Sequence, residues 1–116
     1  MILTEKKSLK ELVDEGNDYP GAVIKFCIDR KKRLVDIGEE MHYDMELELY
    51  GAGSNDNDIF GGNIVIDDVE SLKTHLEWQA HPNIERNRML GIGRGRFLTD
   101  QGVINELSDI LKEWVV

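Results

Sequence analysis

The chain has 116 residues, 41% hydrophobic and 32% charged, with a formal net charge of −9. That length and apolar share exclude a disordered chain and predict one domain over residues 1–116. The single cysteine, Cys27, excludes an intrachain disulfide and a cysteine-based zinc site, and the absence of any long apolar stretch predicts a cytoplasmic protein with no membrane partner.

The first predicted element is a helix ending near Glu15. Leu9, Leu12 and Val13 share one face, Ser8 and Glu11 have capping-box spacing, and Gly16 stands where a C′ glycine would. Thr4 is an alternative cap. Asn17 to Gly21 reads as a turn. Ala22 to Asp29, rich in β-branched and aromatic residues, reads as a central strand that buries Cys27. Arg30 to Arg33 forms a basic hairpin loop, and Leu34 to Ile37 the return strand, with a bend at Gly38.

Met41, Tyr43, Met45, Leu47 and Leu49 alternate with His42, Asp44, Glu46 and Glu48. A period of two predicts a strand that buries Met45 and Leu47 and exposes Asp44 and Glu46. Gly51 to Asp58 is a polar loop, and Gly62 to Asp67 another strand. Asp67 to Ala80 fits both periods. The expectation is a helical turn near Asp68 to Lys73, then a strand to Ala80, stopped by Pro82. Asn83 to Arg96 reads as a long loop with an extended piece at Met89 to Ile92.

Val103, Ile104, Leu107, Ile110, Leu111, Trp114 and Val115 trace one wide helical stripe. This helix, capped by Thr99 or Asp100, should carry Leu107, Leu111 and Trp114 into the core. The elements together predict an α+β fold. Its largely antiparallel sheet of four to five strands has the N- and C-terminal helices packed on one face and a polar face opposite.

Charge is sharply segregated. Residues 36 to 70 hold no lysine or arginine but include Asp36, Glu39, Glu40, Asp44, Glu46, Glu48, Asp56, Asp58, Asp67, Asp68 and Glu70. The basic residues gather at 30–33 and at Arg86, Arg88, Arg94 and Arg96. On a shared strand face, His42, Asp44 and Glu46 would offer a divalent-metal site, against the simpler reading of a solvated sheet face. Asp56 and Asp58 do not make an EF-hand, because Phe60 falls at the fifth position and Asp67 at the twelfth. Gly91, Gly93, Arg94 and Arg96 lie just before a helix start and could hold an anion, although the G-x-G-x-x-G and Walker A patterns are both broken. The net charge argues against nucleic acid. Pairing of Arg86 to Arg96 with the acidic stretch is the cheaper arrangement.

Several landmarks occur in order: Phe26-Cys27-Ile28-Asp29, Ile37-Gly38-Glu39-Glu40-Met41-His42-Tyr43-Asp44, Gly53-Ser54, Phe60-Gly61-Gly62-Asn63, His81-Pro82 and Asn87-Arg88. In this the chain resembles a small family of uncharacterised prokaryotic α+β proteins. It departs from the family pattern at Glu39, Phe60 and His81, where glycine, tryptophan and arginine are usual. The resemblance implies the α+β fold, draws attention to Glu40, His42, Asp44, Asn63 and Asn87, and implies no activity.

With no hydrolase motif, the leading expectation is a non-enzymatic interaction protein without a cofactor, binding a protein partner or a second copy of itself. A metal-binding protein or small metal-dependent enzyme built on His42, Asp44 and Glu46 is one alternative. A nucleotide or nucleic-acid binder using Arg86 to Arg96 is the other.

Overall fold

The computed structural model describes residues 1–16, 19–79, 91–94 and 97–116, with residues 93 and 94 described in their backbone only. Ser8 starts helix α1 (Leu9–Asp14): its hydroxyl oxygen accepts from the Glu11 amide at 3.1 Å and its proton goes to the Glu11 carboxylate. Gly16 ends the turn at φ +122°, a conformation costly for any residue with a Cβ. At the other end of the chain, Asp100 caps α3 (Gln101–Trp114) by accepting from the Val103 amide at 3.0 Å.

Between them run β1 (Val23–Asp29), β2 (Leu34–Ile37), β3 (Ile59–Asp68), β4 (Lys73–Gln79) and the two-residue strands β5 (Gly93–Arg94) and β6 (Phe97–Leu98). The sheet order is β2-β1-β3-β4-β6-β5, with every pairing antiparallel. The fold is therefore α+β, with helices at both ends of the chain. The helical turn expected near Asp68 to Lys73 is instead a non-helical turn over residues 69–72, with Asp68 ending β3 and Lys73 starting β4. Ala80 lies outside the described residues, as do Met89 and Leu90 of the extended piece expected at Met89 to Ile92, whose Gly91 and Ile92 form a turn and a bend.

Strand alternation sorts the core. Ile24, Phe26 and Ile28 of β1, Val35 and Ile37 of β2, and Phe60, Ile64 and Ile66 of β3 meet Leu12 and Val13 of α1 and Val103, Leu107, Ile110 and Leu111 of α3. Both terminal helices thus pack on one face. Trp114 is only half-buried, with its indole Nε1 donating to the Arg33 carbonyl at 2.9 Å.

The strand expected over Met41 to Leu49 is a helix instead: α2 spans His42–Gly51. Met45 is buried and Asp44 exposed as expected, but Leu47 is exposed and Glu46 buried, the reverse of the strand reading. The physical reason is composition. The segment from His42 to Gly51 contains no β-branched residue and is rich in Met, Glu and Leu, which lose little rotamer freedom in a helix. α2 packs on the face opposite α1 and α3, so the face expected to be polar is covered at its β1–β2 end. Met45 and Leu49 form a second small core there with Cys27 and Ile59.

Candidate functional site

The acidic half of the molecule is organised around α2, which two polar contacts fix to the sheet. His42 Nε2 lies 2.9 Å from the Gly62 carbonyl oxygen, and the Cys27 thiol points at the His42 carbonyl at 3.8 Å. At the far end Lys32 donates from Nζ to the Ala52 carbonyl at 3.0 Å, a cation at the helix C-terminus where the dipole favours one. Buried Asp29 joins two loops: one oxygen accepts from the Lys32 amide at 2.9 Å, the other from the Ser54 hydroxyl at 2.5 Å. Landmarks distant in sequence, His42 with Gly62 and Asp29 with Ser54, therefore meet as fasteners of the fold.

Under the helix, burial pushes the Cys27 thiol far up, reinforced by the Glu46 and Asp36 carboxylates. It stays protonated and cannot serve as a nucleophile at neutral pH. Burial also pushes up the Tyr50 phenol, as does its hydrogen bond to Asp56.

Beside α2, oxygens of Asp36, Glu39 and Glu48 lie within 4.8 Å of one another. They surround the α-ammonium of Met1, which donates to Asp36 at 2.5 Å, Glu39 at 2.9 Å, the Ile37 carbonyl at 3.1 Å and Glu48 at 3.3 Å. Asp36 is fully buried, and its second oxygen has no hydrogen-bond partner among the described residues. Burial is the largest influence on this carboxyl and outweighs the ammonium, so its pKa is pushed up to about 6. Glu39 is held below the usual range by hydrogen bonding and charge from the same ammonium. The cluster has the donors of a hard-cation site, and its positive charge in this structure is the ammonium.

The outer side of α2 is apolar along one row. Tyr43 is 58% exposed and Leu47 48%, one helical turn apart, and Asp44 and Glu48 form the adjacent acidic row.

The metal candidates from the sequence are dispersed by the helix. His42 is bound to Gly62, Asp44 faces solvent and Glu46 is buried, and the three do not converge. Among the described residues, the converging group is Asp36, Glu39 and Glu48. No sequence signal pointed to it, because its members come from β2, the following loop and a helix that reads as a strand.

For the anion candidates, Gly91 has φ +67° and Gly93 and Arg94 form β5. The Arg94 side chain and all of Arg86, Arg88 and Arg96 lie outside the described residues, and with them the expected pairing to residues 36–70. The nearby helix start already holds the Asp100 carboxylate, and the Thr99 and Asp100 amides donate to the Ile92 carbonyl at 2.9 and 3.0 Å. The basic hairpin pairs with α3: Arg30 meets Glu106 at 2.7 Å, and Arg33 meets Glu113. No described helix is long and apolar enough to cross a membrane.

Residues 1–113 match the family model described as "Protein of unknown function (DUF5674)". No curated protein and no solved structure matches the chain.

Proposed function

The chain belongs to this family of unknown function, and from its own geometry we propose that it is a non-enzymatic interaction protein that docks a basic, amphipathic partner segment on α2. The observation that carries this reading is the row of Tyr43 and Leu47, exposed beside Asp44 and Glu48 on a helix within a lysine- and arginine-free stretch. An apolar row rimmed by one sign of charge fits a segment with apolar residues at helical spacing and the opposite charge around them. The inert Cys27 and the structural bonds of Asp29 and His42 fit a binding role better than catalysis.

The test is an NMR shift titration with a leucine- and lysine-patterned helical peptide and, as control, the same pattern with glutamate for lysine. Shifts should centre on α2 with the basic peptide alone and weaken at least tenfold in Leu47→Ser. Equal binding of both peptides, or shifts spread away from α2, would refute the reading. Magnesium, calcium, manganese and zinc, then nucleotides and oligonucleotides, complete the titration. Saturable shifts at Asp36, Glu39 and Glu48, or at residues 91–100, would favour the metal or the anion alternative instead.

A further inference from the structure

The two edges of the sheet are treated differently. Outside β2, the chain's own first residues add a short ladder: Leu3 donates to the Val35 carbonyl at 2.8 Å, and the Ile37 amide to that of Met1 at 3.1 Å. On β4 the outer edge is paired with β6, among the described residues, at Gln79 opposite Phe97. Among the described residues, Lys73 to Trp78 pair with no strand on that side. Against the described residues, this run of β4 thus offers a backbone edge of the kind that templates another strand.

Natural edges are commonly guarded by charged side chains, especially lysine. This edge carries both signs, in a self-complementary order. Lys73, His75 and Glu77 are exposed on one face, and Thr74, Leu76 and Trp78 are half-buried on the other. When β4 pairs antiparallel with a second β4 about a two-fold axis at His75, each Lys73 stands opposite the other copy's Glu77, and Thr74 opposite Leu76. Other symmetric registers lose this match. An axis at Thr74 sets Lys73 against His75, one at Leu76 sets Lys73 against Gln79, and one at Glu77 sets like charges face to face. Leu76 and Trp78 lie on the core face and pack against its edge, where neighbouring side chains across a two-fold would cover them further.

We infer that the outer edge of β4 is a homodimerisation surface, with two copies joining their sheets through antiparallel β4 strands in the register that pairs Lys73 with Glu77. The two-fold is isologous, so pairing uses both β4 edges and closes at two copies. It involves no residue of α2 itself, which packs two strands away on β1. Partner docking on α2 and self-association through β4 can therefore fail independently.

Charge reversal tests the register. Sedimentation velocity from micromolar to millimolar concentration should show a monomer–dimer equilibrium for the unmodified chain. Lys73→Glu and Glu77→Lys should each weaken it at least tenfold, because each places two like-charged pairs across the interface. An equimolar mixture of the two variants should restore dimerisation. One copy then carries glutamate at both positions and the other lysine at both, so each cross-strand pair again joins opposite charges. Amide exchange of the unmodified chain adds a readout independent of any variant: protection of residues 73–78 should rise with concentration. A chain that stays monomeric at millimolar concentration overturns the inference. So does a mixture that fails to recover, or β4 protection equally strong in the monomer.

Discussion

A Cβ on Gly62 would stand 2.5 Å from Phe26 Cζ and 2.7 Å from the Glu77 carbonyl oxygen. One contact is with backbone, which cannot step aside, and the Phe26 ring is held edge-on to Trp78 at 5.3 Å between centroids. Gly62→Ala should therefore destabilise by about 1–3 kcal/mol, measured by urea denaturation. An unchanged midpoint would mean that β3 and β4 can separate freely there. A second residue-scale case is Asp36. A carboxyl whose folded pKa, about 6, exceeds its unfolded value favours the folded state most below that unfolded value, near 3.9. This contribution is lost as pH rises through 6. Glu39, held low, acts in the opposite sense: its contribution is present above its unfolded pKa and is lost as pH falls. Asp36→Asn separates the two. The stability of the native chain relative to this variant should decline from pH 4 to pH 7. A difference independent of pH would show that folding does not raise the Asp36 pKa.

At the scale of elements, the test falls on α2, whose inner side rests on few residues. Met45→Ala removes a fully buried side chain from a cluster with four buried members among the described residues, and should cost about 2–5 kcal/mol by thermal or urea unfolding. Leu47→Ala, on the outer side, should stay within about 0.5 kcal/mol. A strand burying both residues would show two comparable losses. The contrast also marks what could be read in the sequence. The stripe from Val103 to Leu111, the cap at Asp100 and the β-branched run around Ile24 all agree with their neighbours and formed as expected, whereas Trp114 stays half-buried and Val115 lies past the helix end. Met41 to Leu49 satisfied two periods at once, because the odd positions Met45 and Leu49 are also one helical turn apart. No side chain caps α2 at Met41, so no start signal opposed the alternation. The missing β-branched residues were the available discriminator. The candidate site was less legible than the fold for the same reason. Once this segment coils, His42, Asp44 and Glu46 part, Glu48 swings toward Asp36 and Glu39, and Tyr43 and Leu47 are left outside.

Over the whole molecule, repulsion and attraction between charges are unequally placed. The carboxylates of residues 36 to 70 have no lysine or arginine among them, whereas the attractive pairs Arg30–Glu106 and Arg33–Glu113 clamp the β1–β2 hairpin to α3 at a partly exposed surface. Such solvent-exposed pairs contribute little, because water screens them and ordering two long side chains costs entropy. A net charge of −9 works against the compact state through many weak, longer-range terms. Salt screens both, but at 0.1 M the Debye length is about 10 Å, so close pairs lose less than the dispersed repulsion does. The melting temperature should therefore rise between low salt and about 0.3 M sodium chloride, beyond which screening is nearly complete. Arg30→Ala should lower stability by no more than about 1 kcal/mol and Arg33→Ala should lower it slightly, each with the smaller loss at high salt. A melting temperature that falls as salt is added would mean the hairpin clamp outweighs the self-repulsion of the acidic half. In that case the two arginine variants should also lose the salt dependence, which a pair of melting curves for each would reveal.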